Sequence, residues 1–311
     1  MSDDLKDLGE EEYLKRHLQE LEGKVDTPVQ PKFKVEVDNS TVDNLKYFSF
    51  DVKEFPCGIF YPVGSMIQIR AAEVKEIQSY SMVDDTNYYD IVEKMNEMLS
   101  ACVRIKYPNG NIGSYMDLRD PDRFYLVFSI RELTFQQGNS LVTKSNCSCA
   151  KEIQIELKRE NFKIFGVPEK LKKYYNPANR CFRFEIVNGD IYNLAPPTIG
   201  LQKAFTDYIV KENAEKRKPN LSFLKIIPFV LYDRTSITQD GIKAKLDEFQ
   251  NKMDNLSFQF LNSAVEKLSF GIEKVVKSCS CGLEVHSDMI FPDGPSALFV
   301  IHDAFEKFIK E

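Results

Sequence analysis

The sequence predicts an α+β protein: a small mixed β/helix body closed by two Cys-x-Cys knuckles, with an inserted helical lobe. Three observations predict it. Period-2 apolar patterns alternate with helical ones up to about residue 198. From 199 to 277 the pattern is helical throughout. Two matched motifs, Cys147-Ser148-Cys149 and Cys279-Ser280-Cys281, flank that region, and each leads into an apolar alternation (Ile153, Ile155, Leu157; Leu283, Val285). The chain divides accordingly into an N-terminal arm (1–45), an α+β body with the first knuckle (46–198), a helical lobe (199–277) and a closing segment with the second knuckle and a C-terminal helix (278–311).

The arm carries Leu5, Leu8, Leu14, Leu18 and Leu21 at helical spacings among acidic residues, which predicts a thin-striped helix over about 4–22 with Gly23 as its stop. The stripe suits either docking on a partner or a partly ordered tail. Thr27-Pro28-Val29-Gln30-Pro31 is linker chemistry, because each proline fixes φ and restricts its predecessor. A short strand is expected at Phe33, Val35 and Val37.

In the body, Tyr47, Phe48 and Phe50 begin β structure. The passage Phe55 to Gly64 holds two prolines and two glycines and must bend sharply. Met66, Ile67 and Ile69 predict a strand, and residues 71–77 a helical turn. Ile91, Met95, Met98, Leu99 and Cys102 share a face and predict a helix over 88–102. Val103, Ile105 and Tyr107 alternate up to a turn at Pro108-Asn109-Gly110-Asn111. The apolar run 123–133 suits a buried helix or a strand by periodicity; its length and Asp-Pro start favour the helix. Residues 161–198 read as irregular, with one hairpin among them. Phe182, Phe184 and Ile186, then Asn188-Gly189 and Ile191, predict a hairpin.

Thr198 is placed to cap the first helix of the lobe. An element around 221–231 is expected to be interrupted or kinked at Pro228. Apolar residues from Ile242 to Leu268 keep a 3- to 4-residue spacing across most of 241–270. Leu298, Val300, Ile301, Phe305, Phe308 and Ile309 predict the terminal helix.

The bounds fit this reading. The chain has 311 residues, 43 % hydrophobic and 28 % charged, which is ordinary for a globular protein able to bury a core. A net charge of −6 and a pI near 5.4 argue against general binding to nucleic acid or anionic membrane. No stretch reaches the ~20 apolar residues of a membrane span, and the N-terminus is acidic without an apolar signal region. A reducing cytoplasm is therefore the expected site of synthesis, where paired cysteines read as metal ligands rather than disulfides. Cys57, Cys102 and Cys181 stand alone in apolar surroundings and read as small buried hydrophobes.

The four paired cysteines, Cys147, Cys149, Cys279 and Cys281, are the candidate metal ligands. Zinc at about 2.3 Å from each sulfur sets neighbouring sulfurs about 3.8 Å apart. Positions i and i+2 of an extended strand lie roughly 6.5 Å apart, so each pair chelates only if its backbone turns. Cys-x-Cys is one residue shorter than the common Cys-x-x-Cys. Three readings follow: a structural zinc on all four, cysteines that merely sit in turns or are the relic of a lost site, or a local site of Cys279, Cys281 and His286. No catalytic residues and no cofactor-binding motif are assigned: there is no phosphate loop, no dinucleotide fingerprint, no His-Glu-x-x-His and no nucleophile elbow. His17 reads as a solvated residue of the arm, and His302 as a packing or surface residue.

Several stretches in order resemble the baseplate hub and assembly proteins of T-even-like contractile-tailed phages. They are Phe55-Pro56-x-Gly58-x-Phe60-Tyr61; Ile67-x-Ile69-Arg70-x-Ala72-x-x-Val74-Lys75-Glu76; Cys102-Val103-x-Ile105; Asp122-Arg123-Phe124-Tyr125-Leu126-x-Phe128-x-Ile130-Arg131-Glu132; and a cysteine knuckle before an Ile-x-Ile-x-Leu strand. The resemblance covers about residues 48–160, with a weaker echo in 279–311. This chain has Cys-x-Cys where that family usually has Cys-x-x-Cys. The resemblance implies a structural, non-enzymatic subunit of a tail baseplate (hub, wedge or assembly factor), built in the host cytoplasm and located in the virion. Its partners would be other baseplate and tail subunits, with a homo-oligomer conceivable in a symmetric baseplate. The alternative is a zinc-ribbon adaptor binding nucleic acid or a polymerase. The acidic pI and the absence of basic-aromatic clustering near the knuckles weigh against it.

Overall fold

The computed structural model describes residues 46–135, 141–162, 164–165, 167–273, 275–287 and 294–300. The expected arm helix, linker and strand of residues 1–45 lie outside the described residues, as do His17, His302 and the terminal helix beyond Val300.

The body opens with a four-stranded antiparallel sheet: β1 (Phe48–Asp51), β2 (Met66–Ile69), β3 (Val103–Lys106) and β4 (Ile112–Ser114), ordered as in the chain. Register sets Phe50 opposite Ile67 and Ile67 opposite Ile105. One inward row therefore builds the core, and Ile67, Ile69 and Ile105 lose all exposure. The bend between β1 and β2 holds two 3-10 turns, Val52–Glu54 and Gly58–Phe60. A Cβ on Gly58 would sit 2.6 Å from the Val52 carbonyl oxygen, so only glycine fits.

Three helices belong to the body: α1 (Val74–Ser81), α2 (Tyr88–Cys102) and α3 (Arg123–Thr134). A capping box of Glu73 and Glu76 starts α1, and Asn87 caps α2. In α3, Leu126, Val127, Phe128 and Ile130 are all fully buried. The helix is enclosed on all sides, which is why its sequence shows no clear period.

The first knuckle is the hairpin of β5 (Leu141–Asn146) and β6 (Glu152–Leu157). The region read as irregular contains β7 (Ile164–Phe165), a 3-10 turn at Glu169–Tyr174 and β8 (Tyr175–Asn176). These escape a sequence reading because two-residue strands have no period. The expected hairpin follows as β9 (Cys181–Glu185) and β10 (Ile191–Leu194), in a sheet ordered β10-β9-β8.

The lobe has four helices: α4 (Ile199–Ala214), α5 (Leu221–Val230), α6 (Gln239–Lys252) and α7 (Asn255–Lys267). Side chains of Thr198, Asn220, Thr238 and Asp254 cap their starts. The apolar spacing from Ile242 to Leu268 is carried by two helices: Met253 is extended (φ −80°, ψ 127°), and Asp254 caps a new one. Of the interruption or kink expected at Pro228, the interruption does not occur, since α5 runs two residues beyond it. A proline in the last turn removes one hydrogen bond without a following turn to disturb.

The span 199–277 read as helical is corrected at its end: the last helix stops at Lys267, β11 (Gly271–Ile272) pairs antiparallel with β7, and β12 (Val276–Ser278) with β13 (Glu284–His286) form the second knuckle. A 3-10 turn at Pro295–Phe299 replaces the start of the expected terminal helix. Phe299 packs on Tyr80 with ring centroids 5.1 Å apart, and Arg131 Nε donates to the Leu298 carbonyl at 2.6 Å.

One apolar core runs unbroken through body and lobe. Phe60 of the body meets Phe182 at 6.0 Å and Phe270 at 5.1 Å between centroids. Beside them the buried Arg119 guanidinium donates to the carbonyls of Pro196 (2.8 Å), Tyr232 (2.7 Å) and Phe60 (3.3 Å). Its backbone N–H donates to Tyr61 Oη, which donates in turn to Asp122 Oδ2 at 2.5 Å; Asp122 Oδ1 accepts from the Cys57 amide. Burial is the largest influence on the Asp122 carboxyl and pushes it up to about 7, against the opposing hydrogen bonds from Tyr61 and the Cys57 amide.

Candidate metal centre

Both knuckles are built on one kind of turn. In the first, the Cys147 N–H donates to the Lys151 carbonyl and the Ala150 N–H to the Cys147 carbonyl, at 2.9 Å each. In the second, the Cys279 N–H donates to the Leu283 carbonyl at 2.8 Å and the Gly282 N–H to the Cys279 carbonyl at 2.9 Å. The fourth residue is left-handed in each, with φ of +63° at Ala150 and +86° at Gly282. This is a three-residue hairpin loop with a bulge. The same bonds and the same left-handed fourth residue recur at Tyr107–Asn111 (Gly110, φ +86°) and Ile186–Asp190 (Gly189, φ +89°), where no cysteine is present. The knuckles are thus this protein's ordinary hairpin turn with cysteines at the first and third positions. That turn supplies the bend which an extended Cys-x-Cys lacks, so the short spacing is no obstacle to chelation.

The four sulfurs converge. Cys147 Sγ lies 3.6 Å from Cys281 Sγ, and Cys149 Sγ lies 3.6 Å from Cys279 Sγ. All four Sγ atoms fall within 4.8 Å of one another, and no disulfide joins them. Thiolates about 2.3 Å from a tetrahedral ion would be about 3.8 Å apart, close to the two 3.6 Å contacts, so the cage suits such an ion after small shifts of the sulfurs. Among the described residues this is the only such group of potential ligands. His286 is not part of it: it pairs with Val276 at the far end of the second hairpin, which removes the local Cys279–Cys281–His286 site.

Cys147 and Cys279 are buried, at 5 % and 4 % exposure, while Cys149 and Cys281 face solvent. The Cys281 amide donates to Cys279 Sγ and is the largest influence holding that thiol down to about 6; hydrogen bonds from the other thiols add to it, and desolvation opposes. The Cys149 amide acts in the same way on Cys147, but desolvation and its bonds to the other thiols carry Cys147 up to about 12. Four thiols packed together cannot all ionise unless a cation joins them. The donor set therefore suits a thiophilic cation, and four protein ligands leave no position for substrate water.

Two lysines tie the hairpins together. Lys151 Nζ donates to Ser280 Oγ at 2.9 Å, and Lys277 Nζ donates to the Gln154 carbonyl at 2.9 Å. The sequence marks neither; only their places beside the knuckles could have suggested them. The three isolated cysteines are fully buried away from the cluster, as expected. No helix among the described residues is long and apolar enough to cross a membrane.

No family model, no curated protein and no solved structure matches the chain.

Proposed function

We propose that the chain is a structural subunit of a contractile phage tail baseplate, acting through protein–protein contacts, with its C-terminal part clasped to the body by one zinc ion on Cys147, Cys149, Cys279 and Cys281. The observation carrying the clasp is the convergence of the four sulfurs from two hairpins at opposite ends of a 130-residue excursion. Zinc is the ion of choice because a tetrahedral set of four cysteines is its commonest structural site. Such an ion adds folding free energy rather than chemistry.

The baseplate assignment rests on the ordered resemblance over residues 48–160, a span that extends from β1 through the first knuckle. Several of its polar residues hold contacts that a rigid subunit needs. Asp122 and Tyr61 bond across the core, Arg70 pairs with Glu76 at 2.6 Å, and Arg131 holds the Leu298 carbonyl. Mass spectrometry of purified particles tests the assignment. The chain is expected at a stoichiometry fixed relative to the tail subunits; its presence only in infected-cell lysate, with retention on nucleic acid at physiological salt, would overturn it.

A further inference from the structure

We infer that the four-cysteine centre is also an oxidative modification site, at which hydrogen peroxide converts the clasp into two cross-hairpin disulfides, Cys147–Cys281 and Cys149–Cys279. This rests on the metal reading for its starting state but not for its pairing. Each cross-hairpin pair joins one solvent-facing sulfur to one buried sulfur at 3.6 Å. A solvent-accessible cysteine within reach of a resolving cysteine is the arrangement of redox-sensitive pairs. Both 3.6 Å sulfur contacts run between hairpins, whereas a bond within one knuckle would have to form inside a turn already fixed by its own backbone bonds.

The chemistry balances. The Cys149 thiolate attacks one oxygen of the peroxide, the O–O bond breaks, and a sulfenic acid and hydroxide form. The Cys279 thiolate then attacks the sulfenic sulfur, closing the S–S bond and expelling a second hydroxide. Two protons turn the hydroxides into water. Cys281 and Cys147 repeat the sequence with a second peroxide, and the metal leaves as a cation once its thiolates are consumed.

The consequence is a clasp with two closed states. The disulfides link residues 134 and 130 positions apart, so the lobe stays pinned at both ends after the ion is lost. A particle assembled in a reducing cytoplasm and released into an oxidising medium passes between the conditions that favour each state.

The test uses the full chain purified under reductant. It is titrated with hydrogen peroxide, while a chromophoric chelator reads metal release and non-reducing peptide mapping reads the pairing. The expected result is a mass loss of about 4 Da, two hydrogens per disulfide, with Cys147–Cys281 and Cys149–Cys279 peptides and with Cys57, Cys102 and Cys181 still free. Cys149→Ser should retain only the Cys147–Cys281 link. Disulfides within a knuckle, or sulfinic and sulfonic acids in place of disulfides, overturn the inference and leave the metal reading intact. A reduced chain without metal overturns the metal reading, while the peptide map still decides the pairing.

Discussion

Cys147 Sγ and Cys281 Sγ lie 3.6 Å apart although 134 residues separate them in sequence. The excursion between them builds β7, the β8–β10 sheet and the four lobe helices before returning. Its two ends are joined by the β7–β11 pairing, by the thiol cluster and by the bonds of Lys151 and Lys277. The following predictions test the parts of this arrangement separately.

Ala150 occupies the left-handed position that glycine fills in the other three turns of its kind. An L-residue there carries roughly 1–2 kcal/mol of strain, partly offset by glycine's larger unfolded-state entropy. Ala150→Gly is expected to stabilise the protein by about 0.5–1 kcal/mol, and Gly282→Ala to destabilise it by a similar amount. Urea unfolding of both variants measures this.

Gly58→Ala would bring a Cβ within 2.6 Å of the Val52 carbonyl oxygen, which backbone cannot yield without moving. A cost of about 2–3 kcal/mol is expected, comparable to overpacking in a core. A fall in the urea midpoint at unchanged slope would register it.

Arg119 satisfies three carbonyls at the junction of body and lobe. Arg119→Met leaves them without that donor and should cost about 3–5 kcal/mol. Arg119→Lys should recover little, because an ammonium cannot reproduce the planar fork. Limited proteolysis is expected to open the chain near residues 195–198 and 232 first.

Asp122 gives the pH dependence. In the unfolded chain its carboxyl titrates near 4, but in the fold burial raises it to about 7. Between those values the folded state binds more protons, so this group's contribution to stability falls as pH rises. It is fully present below about 4 and gone above about 7. Asp122→Asn removes the titration. Its stability should gain on the wild type across that window by on the order of 3–4 kcal/mol, as read from urea unfolding at several pH values. A gap constant with pH would contradict the assignment.

Much of this was legible in the residues. The spacing of Ile91, Met95, Met98, Leu99 and Cys102 defines α2 over its whole length, and Asn188-Gly189 marks its hairpin. The four site cysteines were also plain, because two matched motifs at long range are a strong constraint. The turn that makes Cys-x-Cys workable was not. Its signature is a left-handed fourth residue, and alanine at position 150 disguises it. The split between α6 and α7 was hidden because the apolar stripe keeps its phase across Met253 and Asp254. Neither the bond from Tyr61 to Asp122 nor the reach of Arg119 has a sequence period, since each joins residues more than fifty positions apart.

Metal analysis of the purified full chain tests the central claim most directly. The account predicts about one zinc per chain, lost in Cys279→Ser together with a marked fall in melting temperature. A chain that is metal-free, reduced and as stable as after zinc addition would contradict it.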